Sequence, residues 1–129
     1  MHSEGGFIKT IRDSILILIF EFLGTLLLTL LYACFTIKPV GTNANADFTG
    51  FLLGVFILLI FGAKISGSHY NPCVTLAFML RRDTGKFSRA LGLAYIIFQL
   101  GGAFCGSLIG FMFTGLGGNL KIVGTETIG

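Results

Sequence analysis

Hydrophobic positions along this chain gather into three long runs, parted by short polar stretches. The first, Ile15 to Phe35, is 21 residues whose only charge is Glu21. As a helix it is long enough to cross a bilayer, so a span is predicted over about 15–35. The second run, Phe48 to Ala63, has only 16 residues. It predicts a span over about 48–64, either reaching a little past Lys64 or shielded by neighbouring helices. The third, Ala90 to Leu116, predicts a span over 90–116, able to cross with tilt.

Between the second and third runs lies the most informative stretch, Ser66-Gly67-Ser68-His69-Tyr70-Asn71-Pro72-Cys73-Val74-Thr75-Leu76-Ala77. A small, polar segment ends at Asn71-Pro72 and an apolar one begins. Asparagine is among the best N-caps, and proline fits the first helical turn because its missing N–H is a donor left free there in any case. A helix is therefore predicted over about 72–80. At 1.5 Å per residue it measures roughly 13–14 Å, about half the hydrocarbon thickness of a bilayer. Membrane proteins use such half-length helices to aim a helix N-terminus at a site near the midplane.

The remaining stretches are connectors. Residues 1–13 form a polar arm carrying Lys9 and Arg12, residues 14–116 a single membrane unit, and residues 117–129 a Gly/Thr-rich tail or connecting loop. Lys38 to Asp47 reads as a loop, with Pro39, Gly41 and Asn43-Ala44-Asn45 as its turn signals. Arg81 to Lys86 reads as a charged surface turn.

Composition places these runs in lipid. Of 129 residues 53% are hydrophobic and 12% charged, and the mean hydropathy is +0.88. Soluble domains carry about twice that charge. The sparse basic residues flank apolar spans rather than aromatic platforms, which argues against a nucleic-acid partner. With three spans, Lys9, Arg12, Lys64, Arg81, Arg82, Lys86 and Arg89 share one side of the membrane, against Lys38 and Lys121 on the other. That bias puts the N-terminus on the positive-inside face. The first run is too long for a secretion signal and contains a carboxylate. There is no Trp, so Tyr32, Tyr70 and Tyr95 are expected as a thin set of interfacial anchors. Cys34, Cys73 and Cys105 lack disulfide or metal-site spacing and are expected as small packing residues.

Few side chains carry chemistry. Gly102, Gly106 and Gly110 recur every four positions, the small-xxx-small pattern that lets helix backbones approach in lipid, with Gly24 and Gly54 as counterparts on the other spans. Glu21 is an ionisable group inside a span, where such groups are costly and therefore candidates for a role. It is expected to accept hydrogen bonds from backbone donors freed by the broken segment. His69 is expected to hold that loop rather than line a passage, and Gln99 to hydrogen-bond a neighbouring helix. Non-helical backbone at membrane depth persists where protein buries it or where it lines a wet cavity. Two readings of 64–80 stay open at this point: a site for a wet, neutral solute that repels cations, or a re-entrant segment used only for packing. No nucleophile–base pair, phosphate loop, metal spacing or cofactor motif occurs, so no enzyme is expected.

The box from Ser66 to Thr75 resembles the first Asn-Pro-Ala box of the aquaporins and glycerol facilitators. Glu21-Phe22-Leu23-Gly24-Thr25 is similar to that family's first-helix signature. Arg89-Ala90, Tyr95-Ile96-Ile97-Phe98-Gln99 and Gly101-Gly102-Ala103 are similar to its third helix. The resemblance covers roughly residues 12–116. It implies an all-α membrane protein, an aquaporin-like half-barrel of three transmembrane helices plus one re-entrant half-helix. Asn71 would then be the pore asparagine, with Pro72, Cys73 and His69 beside it, and Phe51 the aromatic residue of a narrow filter. The third box residue is Cys73 where the family usually has Ala, which bears on pore width. The family is built from two inverted repeats, and the residues here match the first only. The implied function is thus a channel half for water or small neutral solutes, embedded in the lipid bilayer and completed by a complementary half-repeat polypeptide. The alternative is a structural subunit of a larger membrane assembly. Pairing of two copies would need one inserted upside down, which the basic-residue bias disfavours.

Overall fold

The computed structural model describes residues 3–36, 48–81 and 87–114. The expected loop 38–47, the turn residues Arg82 to Lys86 and the tail 117–129 lie outside the described residues. Four helices follow in order: α1 (Ser3–Thr36), α2 (Phe48–Ala63), α3 (Pro72–Leu80) and α4 (Arg89–Thr114). No strand occurs among the described residues. Two stretches, Arg12–Phe35 and Arg89–Phe113, are long and apolar enough to cross a membrane, and α2 is a shorter apolar helix.

α1 starts well before its apolar run, because extending an established helix into the polar arm adds one hydrogen bond per residue fixed. α2 stops at Ala63, one residue short of expectation. There the carbonyl of Gly62 accepts the N–H groups of Ile65, Ser66 and Gly67 at 2.9, 2.9 and 3.3 Å, which closes the helix end with a tight turn. Gly67 (φ 88°), Ser68 (φ 51°) and Tyr70 (φ 45°) then lie in the left-handed region and fold the chain back toward α3.

α1 and α4 pack through their backbones. A methyl group at Gly102 would run into the carbonyl oxygen of Phe22, and one at Gly106 into that of Leu26 and the hydroxyl of Thr29. At Gly110 it would meet Cβ of Ala33 at 2.6 Å. Three glycines four apart on α4 thus fit a ladder of positions four, three and four apart on α1. Thr29 adapts to the same seam by turning its hydroxyl onto its own helix, to the carbonyl of Thr25 at 2.6 Å. α2 leans on α1 through Gly54 against Leu31, and Tyr32 meets Phe51 edge-on at 6.0 Å. α3 rests on α4 where Gly92 leaves room for the side chain of Met79.

The interior is polar and the exterior apolar. The largest fully buried side chains are Gln99, Glu21 and Thr75, while Phe61, Phe104 and Phe113 are more than 70% exposed. A water-soluble protein arranges these the other way round. Two expectations need correcting. Tyr70 and Tyr95 are 5% and 2% exposed, so they are core residues rather than interfacial anchors; only Tyr32 faces outward. Cys34 and Cys73 are exposed, and only Cys105 is partly enclosed.

Candidate functional site

Glu21 sits at the centre of the polar interior, fully buried on α1. Its Oε1 accepts the backbone N–H of His69 at 3.1 Å, and its Oε2 that of Tyr70 at 2.8 Å. Those amides cannot pair within the broken segment, and a carboxylate, which only accepts, suits them. A third donor, Nε2 of Gln99 on α4, reaches Oε2 at 2.8 Å. Because the carboxylate accepts only, the Gln99 amide must turn its NH2 toward α1. The second N–H then reaches Oγ1 of Thr75 at 2.9 Å.

Thr75 joins this chain to α3. Its hydroxyl lies 3.2 Å from the Asn71 carbonyl one turn back, 3.2 Å from Oε1 of Gln99 and 3.1 Å from Nδ1 of His69. The hydroxyl has a single proton to divide between the Asn71 and Gln99 oxygens, while the direction of the His69 contact follows the tautomer of the ring. A continuous run of hydrogen bonds therefore ties α1 to α4, α4 to α3, and α3 to its own first turn. Beside it, Tyr95 donates to the Ser66 carbonyl at 2.7 Å, and Ser68 donates to the Leu59 carbonyl of α2 at 2.8 Å. No buried side-chain nitrogen or oxygen among the described residues lacks a partner.

Asn71 and Pro72 open α3 as cap and first residue. Asn71 is extended (φ −153°, ψ 127°), and its Oδ1 accepts the N–H of Cys73 at 2.8 Å. With the oxygen so used, the Nδ2 donors remain available on an exposed residue. Asn71 and Cys73 are exposed and Pro72 is half-buried, so the helix head opens onto the surface while Glu21, Thr75 and Gln99 behind it are buried. His69 does not share that surface. It is buried, with Phe78 stacked on it at 4.4 Å and Tyr95 and Phe87 at 5.2 and 5.4 Å. Phe51 stands apart: its ring meets Tyr32 and Phe48 near the opposite end of α2, about 16 Å along the helix from Gly62. Gly24, expected to face another helix, instead accommodates the ring of Tyr70.

Thr75 carries much of this site without standing out in the sequence, and Tyr70 and Tyr95 belong to it although the sequence marks them only as interfacial anchors. Spacing could have flagged two of them. Thr75 lies one turn after Asn71, and Tyr95 one turn before Gln99, so each shares a helix face with a polar residue already singled out. For Tyr70 the signal was weaker, a bulky residue squeezed among Gly, Ser and Asn.

A family model described as Major intrinsic protein matches residues 9–125. Among curated proteins, the chain is 38% identical over 80 residues to a probable aquaporin TIP2-2 of Oryza sativa, covering 62% of this chain and 30% of that protein. It is 33% identical over 89 residues to a glycerol uptake facilitator protein of Buchnera aphidicola, covering 66% and 33%. To aquaporin PIP2-7 of Arabidopsis thaliana it is 37% identical over 103 residues, covering 74% and 35%. The chain thus spans about a third of the length of these relatives. No solved structure gives a significant match.

Proposed function

We infer the function of this chain from one premise: it belongs to the major intrinsic protein family, and so is an integral membrane protein. The reading proposed is one half of a channel for the passive passage of water or a small neutral solute. The other half is a complementary polypeptide segment, whether continuous with this chain or separate. In this reading α1, α2 and α4 cross the bilayer, and α3 is a re-entrant half-helix whose head stops near the midplane. The N-terminal arm, Lys64, Arg81 and Arg89 face the positive-inside side.

The observation that carries the reading is the exposed head of α3. Asn71, exposed, lies next to the positive end of a helix dipole, in a molecule whose large outward-facing side chains are mostly apolar. Such a head offers hydrogen bonds to the lone pairs of a neutral solute and repels cations. Left against hydrocarbon, it would cost several kcal/mol per unmet polar group. A facing polypeptide that encloses a wet passage removes that cost. Asn71 then orients the solute, Pro72 fixes the start of the dipole, Cys73 forms the adjoining wall and Phe51 narrows the far entrance. His69 acts from behind as a support.

Osmotic swelling of proteoliposomes tests this. The chain alone should give background rates, and fast swelling should appear on adding the complementary half recovered by native pull-down. Asn71→Asp should slow water passage about ten-fold, equivalent to roughly 1.4 kcal/mol on the barrier. Background swelling with every complement would remove the channel reading and leave a structural subunit of a membrane assembly.

A further inference from the structure

We propose that Tyr70 is a positioning residue: its ring, wedged between Gly24 of α1 and Gly62 of α2, sets the direction in which Asn71 and the head of α3 point. The inference rests on the channel reading only in taking Asn71 as the working group.

Tyr70 holds a left-handed backbone (φ 45°) that a bulky residue rarely adopts. Such a conformation persists where the surroundings over-determine it, and here they do so from two helices. The N–H of Tyr70 is held by Glu21, and its ring lies flat on Gly24, three residues further along the same face of α1. From the other side, a methyl group at Gly62 would collide with the phenol oxygen of Tyr70 and come within 2.6 Å of Oγ of Ser68. Both walls of the slot are therefore glycines because the ring fills the space a side chain would need. The phenol itself reaches the Leu58 carbonyl only at 3.4 Å. Ring shape, more than the hydroxyl, does the holding.

Asn71 follows directly in extended conformation, so the chain changes from left-handed to extended across one peptide. A small rotation at Tyr70 swings Asn71 and the first turn of α3 together. Thr75 and Gln99 grip α3 one turn later, which leaves the wedge to decide where the head points rather than whether α3 forms.

Cys73, exposed and two residues from Asn71, reports that direction without any transport measurement. In the full chain carrying Cys34→Ala and Cys105→Ala, Cys73 is the remaining thiol. Its rate of modification by a water-soluble methanethiosulfonate is measured in lipid vesicles, with helicity followed by circular dichroism. Tyr70→Leu should change the rate roughly five-fold or more at unchanged helicity, and Tyr70→Phe by less than about two-fold. Gly24→Ala should shift it as Tyr70→Leu does, and the double variant Gly24→Ala/Tyr70→Leu should return it toward the parental value, since the added methyl refills the slot. A folded Tyr70→Leu chain with the parental rate overturns the proposal. If Tyr70→Leu alone does not fold, the double variant decides: recovered helicity and rate uphold the wedge, and no recovery overturns it. If swelling fails throughout while the thiol rates shift as stated, the channel reading falls and the wedge stands.

Discussion

Two seams hold this molecule together, and they are built from opposite materials. Along α1 and α4, Gly102, Gly106 and Gly110 let one backbone lie on the other with no polar side chain needed on α4. Behind the broken segment 64–71, Glu21, Gln99, Thr75 and Tyr95 form a knot of short hydrogen bonds. The first seam exists because lipid supplies no hydrophobic drive between helices, so close van der Waals contact has to do the joining. The second exists because backbone amides in a low-dielectric interior must find partners. A tight apolar seam fails by added volume, whereas a polar knot fails by a missing acceptor.

Three substitutions would break or sharpen that contrast. Glu21→Ala is expected to do the most damage, because it leaves the backbone amides of His69 and Tyr70 without an acceptor and removes one of the two bonds donated by Gln99. At about 1–3 kcal/mol for each backbone amide left unmet, the loss is roughly 2 kcal/mol or more. Resistance of the folded chain to SDS should fall accordingly, and hydrogen exchange should rise at residues 66–70 while the middle of α1 stays protected. Gly102→Ala comes next, at about 1–3 kcal/mol, since the methyl meets backbone that cannot rotate away. Here exchange should rise along α1 and α4 and spare the loop. Loosening of 66–70 by Gly102→Ala to the same degree would show that the two seams are one cooperative unit, and the comparison would fail. The smallest effect belongs to Tyr95→Phe, which removes one hydrogen bond to the Ser66 carbonyl. About 1 kcal/mol in SDS titration is expected, with exchange raised only near Ser66.

These seams differ just as much in how visible they were beforehand. The glycine spacing on α4 could be read directly, since a four-residue repeat of small residues on a helix means one face and one kind of contact. Its partners could not: that Phe22, Leu26 and Ala33 receive those glycines depends on the register of α1 against α4. Glu21 and Gln99 stood out as polar groups in apolar runs. Tyr70 and Tyr95 could not be placed from sequence, because an aromatic ring with a polar tip suits both a membrane surface and a buried carbonyl.

The sequence by itself determined the membrane setting, the four helices and the start of α3 at Asn71-Pro72. Each of these follows from local properties: run length, side-chain polarity and the missing N–H of proline. Tertiary structure alone decided which carboxylate meets which amide, since Glu21 lies 48 and 49 residues from its backbone partners and 78 from Gln99. It also decided which glycine receives the ring of Tyr70. The physical reason is that a hydrogen bond or a steric slot depends on positions in space to within a fraction of an ångström, and separation along the chain carries no such information until the helices have packed.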